Sequence, residues 1–159
     1  MSAQGIGYAS AVVLAAVFAL AAVSKLRDLD ATADGFETLG LPSPTVFAAI
    51  IPLAELAIVA LLLIIPAAGA IAALVTLAFF TTFLVGRLRA GVRAPCACFG
   101  SSRALPLSGA DVLRNLLLIV LAVASLPAER PGGVRPIDAV VVLALSAGGV
   151  ALLRLVRHR

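Results

Sequence analysis

The sequence alternates long, almost purely apolar runs with short clusters of charge, Pro and Gly. That pattern constrains the fold more than any other feature. The first run, about Tyr8 to Leu26, is Ala, Val, Leu and Phe on every face. A helix that is apolar all round belongs in a large core or in lipid. The 159 residues are 62% hydrophobic and 13% charged. An ordinary soluble domain is about 45–50% apolar and about 25% charged. One small domain cannot bury such an excess, so the bilayer must solvate it. The fold class read from this is all-α, a polytopic membrane helical bundle. It has a four-helix core and a fifth C-terminal transmembrane helix, in one integral membrane domain over 1–159.

The punctuation places the helices. The first run ends at Ser24-Lys25-Leu26-Arg27-Asp28. The next stretch carries Asp28, Asp30, Asp34 and Glu37 and reads as a short interfacial helix or loop. Ser43-Pro44 starts the second run, with Ser as N-cap and Pro at the first helical position. That run reaches about Ile65, includes Pro52 as a kink candidate, and carries Glu55 near its middle. Pro66-Ala67-Ala68-Gly69 reads as a tight turn into a third run, about Gly69 to Leu88. Gly69 and Ala73, four apart, favour close helix packing. The fourth run, about Asp111 to Leu126, opens on Ser108-Gly109-Ala110-Asp111, which has capping-box spacing. A Pro/Gly-rich link leads to a fifth run over about 137–156.

The missing Lys or Arg ahead of the first run argues for a retained helix rather than a secretory signal. With the N-terminus outside, five alternating spans leave ten Lys or Arg inside and only Arg130 and Arg135 outside. Basic residues at span ends set orientation. They predict a multi-pass protein of the bacterial inner membrane. The loop between the third and fourth runs then lies on the cytoplasmic side, or folds back among the helices. Charges clustered between apolar runs, with no Trp and one Tyr, do not suggest nucleic-acid binding.

That loop holds both cysteines, in Pro95-Cys96-Ala97-Cys98-Phe99-Gly100. Arg87, Arg89, Arg93 and Arg103 surround them, and Arg114 follows. The thiolate is the reactive form, and nearby cations favour it. A disulfide across one intervening residue is strained, and strained disulfides are labile and oxidising. The pair therefore suits thiol–disulfide exchange. Two other readings stay open: Cu(I) held by two soft thiolates, and two inert thiols acting as small hydrophobes. Zinc would need two further ligands, and the sole histidine, His158, is in the tail.

Three more polar residues stand out. A carboxylate at membrane depth, Glu55, marks either a functional site or a buried partner. The functional readings are a proton relay or a quinone contact; the plain one is a hydrogen bond to a neighbouring helix. Lys25 and Arg114, near helix ends, are expected to snorkel to the interface. Asn115, an amide within a span, needs a partner and is placed to hold the cysteine loop over the helix end.

These residues carry a family likeness. The chain resembles the methylamine utilisation protein MauE family, a neighbour of the DoxX-like membrane proteins. The likeness covers about 8–126. It rests on Ser24-Lys25-Leu26, Gly40-Leu41-Pro42, Glu55, Cys96-Ala97-Cys98-Phe99-Gly100 and Arg114-Asn115. It implies a small polytopic inner-membrane protein that works with a thioredoxin-like partner. In the family that work matures the disulfide-rich small subunit of methylamine dehydrogenase. On this reading Cys96 and Cys98 do the chemistry. Phe99, Gly100, Glu55, Lys25, Arg114, Asn115, Arg93 and Arg103 support them. A quinone is a candidate electron acceptor, although no sequence signature marks one. The alternatives are a non-enzymatic assembly factor and a Cu(I)-handling protein.

Overall fold

The computed structural model describes residues 3–92 and 107–129. The cysteine segment with Arg93, Cys96, Cys98, Phe99, Gly100 and Arg103, and the expected fifth helix at 137–156, lie outside the described residues.

Among the described residues five helices follow one another: α1 (Ala3–Arg27), α2 (Leu29–Thr38), α3 (Pro44–Ile64), α4 (Pro66–Arg89) and α5 (Gly109–Ala124). Three of them, α1, α3 and α4, are long and apolar enough to cross a membrane. The protein is thus an all-α, membrane-associated helical bundle. At 16 residues, α5 rises only about 24 Å, against a hydrocarbon core of about 30 Å. Among the described residues, α1 packs on α3, α3 on α4, α4 on α5, and α5 back on α1. Side chains from all four interlock in one core that includes Leu14, Phe18, Leu62, Leu77 and Leu118. Ala11, Ala15, Ala70, Ala73 and Ala122 fill the narrow places. Lipid is as apolar as leucine, so close backbone approach does much of the work of holding such helices together.

The α3–α4 connection is tighter than the sequence suggests. Pro66 is not part of a turn but the first residue of α4, and Ile65 alone joins the two helices. Proline fits that first position because the N–H it lacks would have no helical partner. It also drives the residue before it out of the helical region, and Ile65 sits at φ −127° and ψ 76°. The Ile65 N–H donates to the Leu61 carbonyl at 2.8 Å, and the Ile65 carbonyl accepts from Gly69 N–H at 3.0 Å. Gly69 then lies directly on α3: a Cβ there would meet the Leu62 Cα at 2.6 Å, and its backbone N closer still.

The acidic stretch forms α2. Asp28 caps it by accepting from Ala31 N–H at 2.9 Å. Thr32, Ala33 and Phe36 turn inward while Asp30, Asp34 and Glu37 face out. Phe36 packs on Ala48 at the start of α3. Beyond α2, Leu39 packs with Leu84 and Leu107. This layer closes one end of the bundle. Gly40 ends α2 at φ +75°, and the Arg87 guanidinium occupies the place a Cβ would take.

The cap expected at α3 differs in detail, and the one expected at α5 is present. Ser43 precedes α3 in the left-handed region at φ 51°, and its hydroxyl makes no cap bond. Its carbonyl accepts instead from Val46 N–H at 3.0 Å. At α5, Ser108 N–H donates to Asp111 Oδ2 at 3.0 Å, and the Ser108 hydroxyl donates to the same oxygen at 3.3 Å.

A paired substitution tests the α3–α4 contact. Gly to Ala in an open helix gains about 1 kcal/mol from propensity. Gly86, with nothing within 4 Å, should show that gain. Gly69→Ala should instead lose about 1–3 kcal/mol from overpacking. Denaturant unfolding followed by circular dichroism measures both, and stabilisation by Gly69→Ala would remove the close-approach explanation.

Candidate functional site

Helix α1 is apolar nearly all round, yet one stripe of it faces protein. Leu14, Phe18, Ala21 and Lys25 recur at four-, three- and four-residue steps and are all buried. That spacing stacks side chains on one helical face. Lys25 is therefore the last member of the packed stripe, 3% exposed. The expectation that it snorkels outward is overturned. On α3, Pro52, Glu55, Val59 and Leu62 form the facing stripe.

The two stripes bring Lys25 to Glu55. Lys25 Nζ donates to Glu55 Oε1 at 2.8 Å and to Oε2 at 3.1 Å, and to the Ala21 carbonyl at 3.3 Å. Glu55 is 7% exposed. Of the readings open for Glu55, the structure supplies the neighbouring-helix partner. Each charge here is costly to bury alone, and the pair makes both tolerable.

A cavity of about 40 Å³ adjoins the pair. Val17, Phe18 and Ala21 of α1, Leu77 and Phe80 of α4 and Leu118 of α5 give it apolar walls, and Phe36 of α2 reaches it as well. Lys25, Glu55, Thr76 and Asn115 are its polar members. Asn115 is 4% exposed and, with Leu118 and Ala122, forms the buried stripe of α5. Its amide has no hydrogen-bond partner among the described residues, and it lines the cavity; the cysteine segment it was expected to hold lies outside the described residues. A benzene-sized ligand occupies a cavity of roughly 150 Å³ and one water needs roughly 10–15 Å³. The chamber thus has the size for water and not for a quinone ring.

Sequence reasoning missed Thr76. Its signal is its register: it falls between Ala73 and Phe80 on the inward side of α4. Of the other expected residues, Arg114 lies on the first turns of α5, 3.6 Å from Asp111 Oδ1. Arg27, Arg87, Arg89, Arg114 and Lys25 are all the described Lys and Arg. All five gather at the end closed by α2. The other end holds the Ile65 connection and the contact of Gly7 with Ala124 and Ala128.

The family model for methylamine utilisation protein MauE matches residues 3–128. The chain belongs to the MauE family. Methylamine utilization protein MauE of Paracoccus denitrificans is 35% identical over 134 residues, which is 78% of this chain and 72% of that relative. No solved structure matches significantly. The family match contains both helices of the ion pair, the cysteine segment and Asn115.

Breaking the pair should be expensive and coupled. Lys25→Met and Glu55→Gln alone should each cost about 3–5 kcal/mol, because each breaks the buried ion pair by removing one of its partners. The double variant Lys25→Met/Glu55→Gln should recover most of that loss. Additive losses in denaturant unfolding would mean the two charges do not depend on each other.

Proposed function

We propose that this MauE-family protein is a membrane thiol–disulfide redox protein that uses Cys96 and Cys98 with a thioredoxin-like partner. Through that partner it supports disulfide formation or maturation of client proteins. The observation that carries the reading is the family match across a chain whose only two cysteines form a Cys-x-Cys pair. Their segment leaves α4 and enters α5 at the cationic end, where five described cations gather. Cations favour the thiolate, so this placement supports a reactive role for the pair. Arg93, Phe99, Gly100 and Arg103 belong to the same stretch of sequence and are the supporting residues of this reading.

The chemistry balances without another reactant. A thiolate of the partner attacks the Cys96–Cys98 disulfide, forming one mixed disulfide and releasing one thiolate. The partner's second thiolate attacks the mixed bond. The partner leaves as a disulfide and the pair as two thiols, two electrons having passed to this chain. The same steps run backward reduce the partner.

In this reading the chain is one membrane unit, a four-helix core with α5 as a span, followed by a fifth span at 137–156. The basic residues put its N-terminus outside and the cysteine segment on the cytoplasmic side, or re-entrant between helices. The protein sits in the bacterial inner membrane. Its clients are proteins with disulfides, and methylamine use is the setting named for its relative.

Cys96→Ser and Cys98→Ser should each abolish exchange with a thioredoxin-like protein. In one of them the remaining thiol should trap the partner as a mixed disulfide visible on non-reducing gels. Full client maturation in both variants would leave the protein a non-enzymatic assembly factor. Labelling intact cells with permeant and impermeant maleimides, with and without reductant, reads sidedness and redox state together.

A further inference from the structure

We infer that the chamber between α1, α3, α4 and α5 is a water-binding inlet that brings exchangeable protons to the Lys25–Glu55 pair. This rests on the chamber alone and not on the cysteine chemistry.

Several observations converge. Asn115 is buried and lines the chamber, yet its amide finds no protein partner among the described residues. A buried amide without a partner is costly, and native proteins satisfy such groups with ordered water where room exists. Thr76 repeats the pattern. Thr81 and Thr82 on the same helix donate to the carbonyls four residues back, at 2.6 and 2.8 Å. Thr76 lines the chamber and its hydroxyl makes no such bond among the described residues. Two side chains that can both donate and accept thus meet a charged pair in one space.

Volume and chemistry then choose the ligand. About 40 Å³ exceeds the roughly 10–15 Å³ that one water requires, and it excludes a ring. The lining charges are one ammonium and one carboxylate, so a neutral ligand fits better than an ion. A bound water also needs two to four polar partners, and Lys25, Glu55, Thr76 and Asn115 are the residues of an otherwise apolar lining that can offer them. The chamber runs from Val17 to Lys25, eight residues along α1 or about 12 Å of helix rise. It reaches Phe36 and Leu84 at the cationic end. The pair stands at the outer part of that length, toward the charged end of the bundle, so water there lies beside both charges. The Lys25 ammonium and the Glu55 carboxylate can then trade protons with solvent from inside the bilayer.

The test uses the full-length, isotope-labelled protein in lipid bilayers and reads water-to-side-chain polarisation transfer by solid-state NMR. Glu55 Cδ and Lys25 Nζ should gain water polarisation at the pace of the exposed Asp30 carboxylate. They should outrun the side chain of Leu62, which is fully buried in the same core. In Thr76→Val/Asn115→Leu the transfer to Glu55 should be lost while the Lys25–Glu55 contact and the helical signature persist. Thr76→Val alone, a swap of near-equal shape, should slow it, and Thr76→Ser should restore it. Transfer at the pace of Leu62 in the unaltered protein would overturn the inference. Undiminished transfer in the double variant or, should that variant not assemble, in Thr76→Val would also overturn it.

Discussion

One ammonium and one carboxylate, 2.8 Å apart and buried away from lipid and the outer surface, fix the arrangement of this bundle. Apolar helices in a bilayer have little reason to prefer one rotation over another, because lipid satisfies an Ala- or Leu-rich face as well as protein does. A buried charge removes that freedom. Lys25 cannot face acyl chains without cost, and neither can Glu55. Together they choose which stripe of α1 meets which stripe of α3. Once that rotation is set, Leu14 and Phe18 enter the core beside Ile58 and Leu62. Helix α5 then brings Asn115 to the same depth.

The pair need not add net stability to do this. Replacing a buried ion pair by apolar residues of similar volume is often neutral or better. Its worth lies in specificity, since wrong rotations strand a charge. The chamber beside it tempers the cost, because polar neighbours and room for water soften the desolvation of both groups. The surrounding small residues have the opposite duty. Gly69 and Ala73 remove side-chain bulk so that α4 can lie on α3, and this close packing confines the remaining space to the polar level.

Much of the architecture was legible in the sequence. Apolar runs and charge clusters located α1, α3, α4 and α5 to within a few residues, since spanning helices must be apolar and their ends need not be. Ser108 and Asp111 marked the start of α5 correctly. Rotation was not legible. In α1 nearly every position is apolar, so periodicity cannot say which side faces protein, and Lys25 looked like an interfacial cation. Glu55 was recognisable as costly, but its partner lay thirty positions away, on another helix. Pro66 was read as turn rather than helix start because a Pro-Ala-Ala-Gly string suits both. Thr76 gave no signal, since a lone threonine in a membrane helix ordinarily bonds its own backbone.

The single-residue connection at Ile65 also bears on how the chain enters a membrane. Between Pro44 and Gly86 the only charged side chain is Glu55, and the link between α3 and α4 holds no loop. A hairpin built this way carries no hydrophilic cargo to its distal tip. Both helices can go in as one wedge, already paired, with every Lys and Arg that flanks them left at the face of entry. The only charge carried inward is Glu55, and its counter-ion waits on α1, the helix made before it.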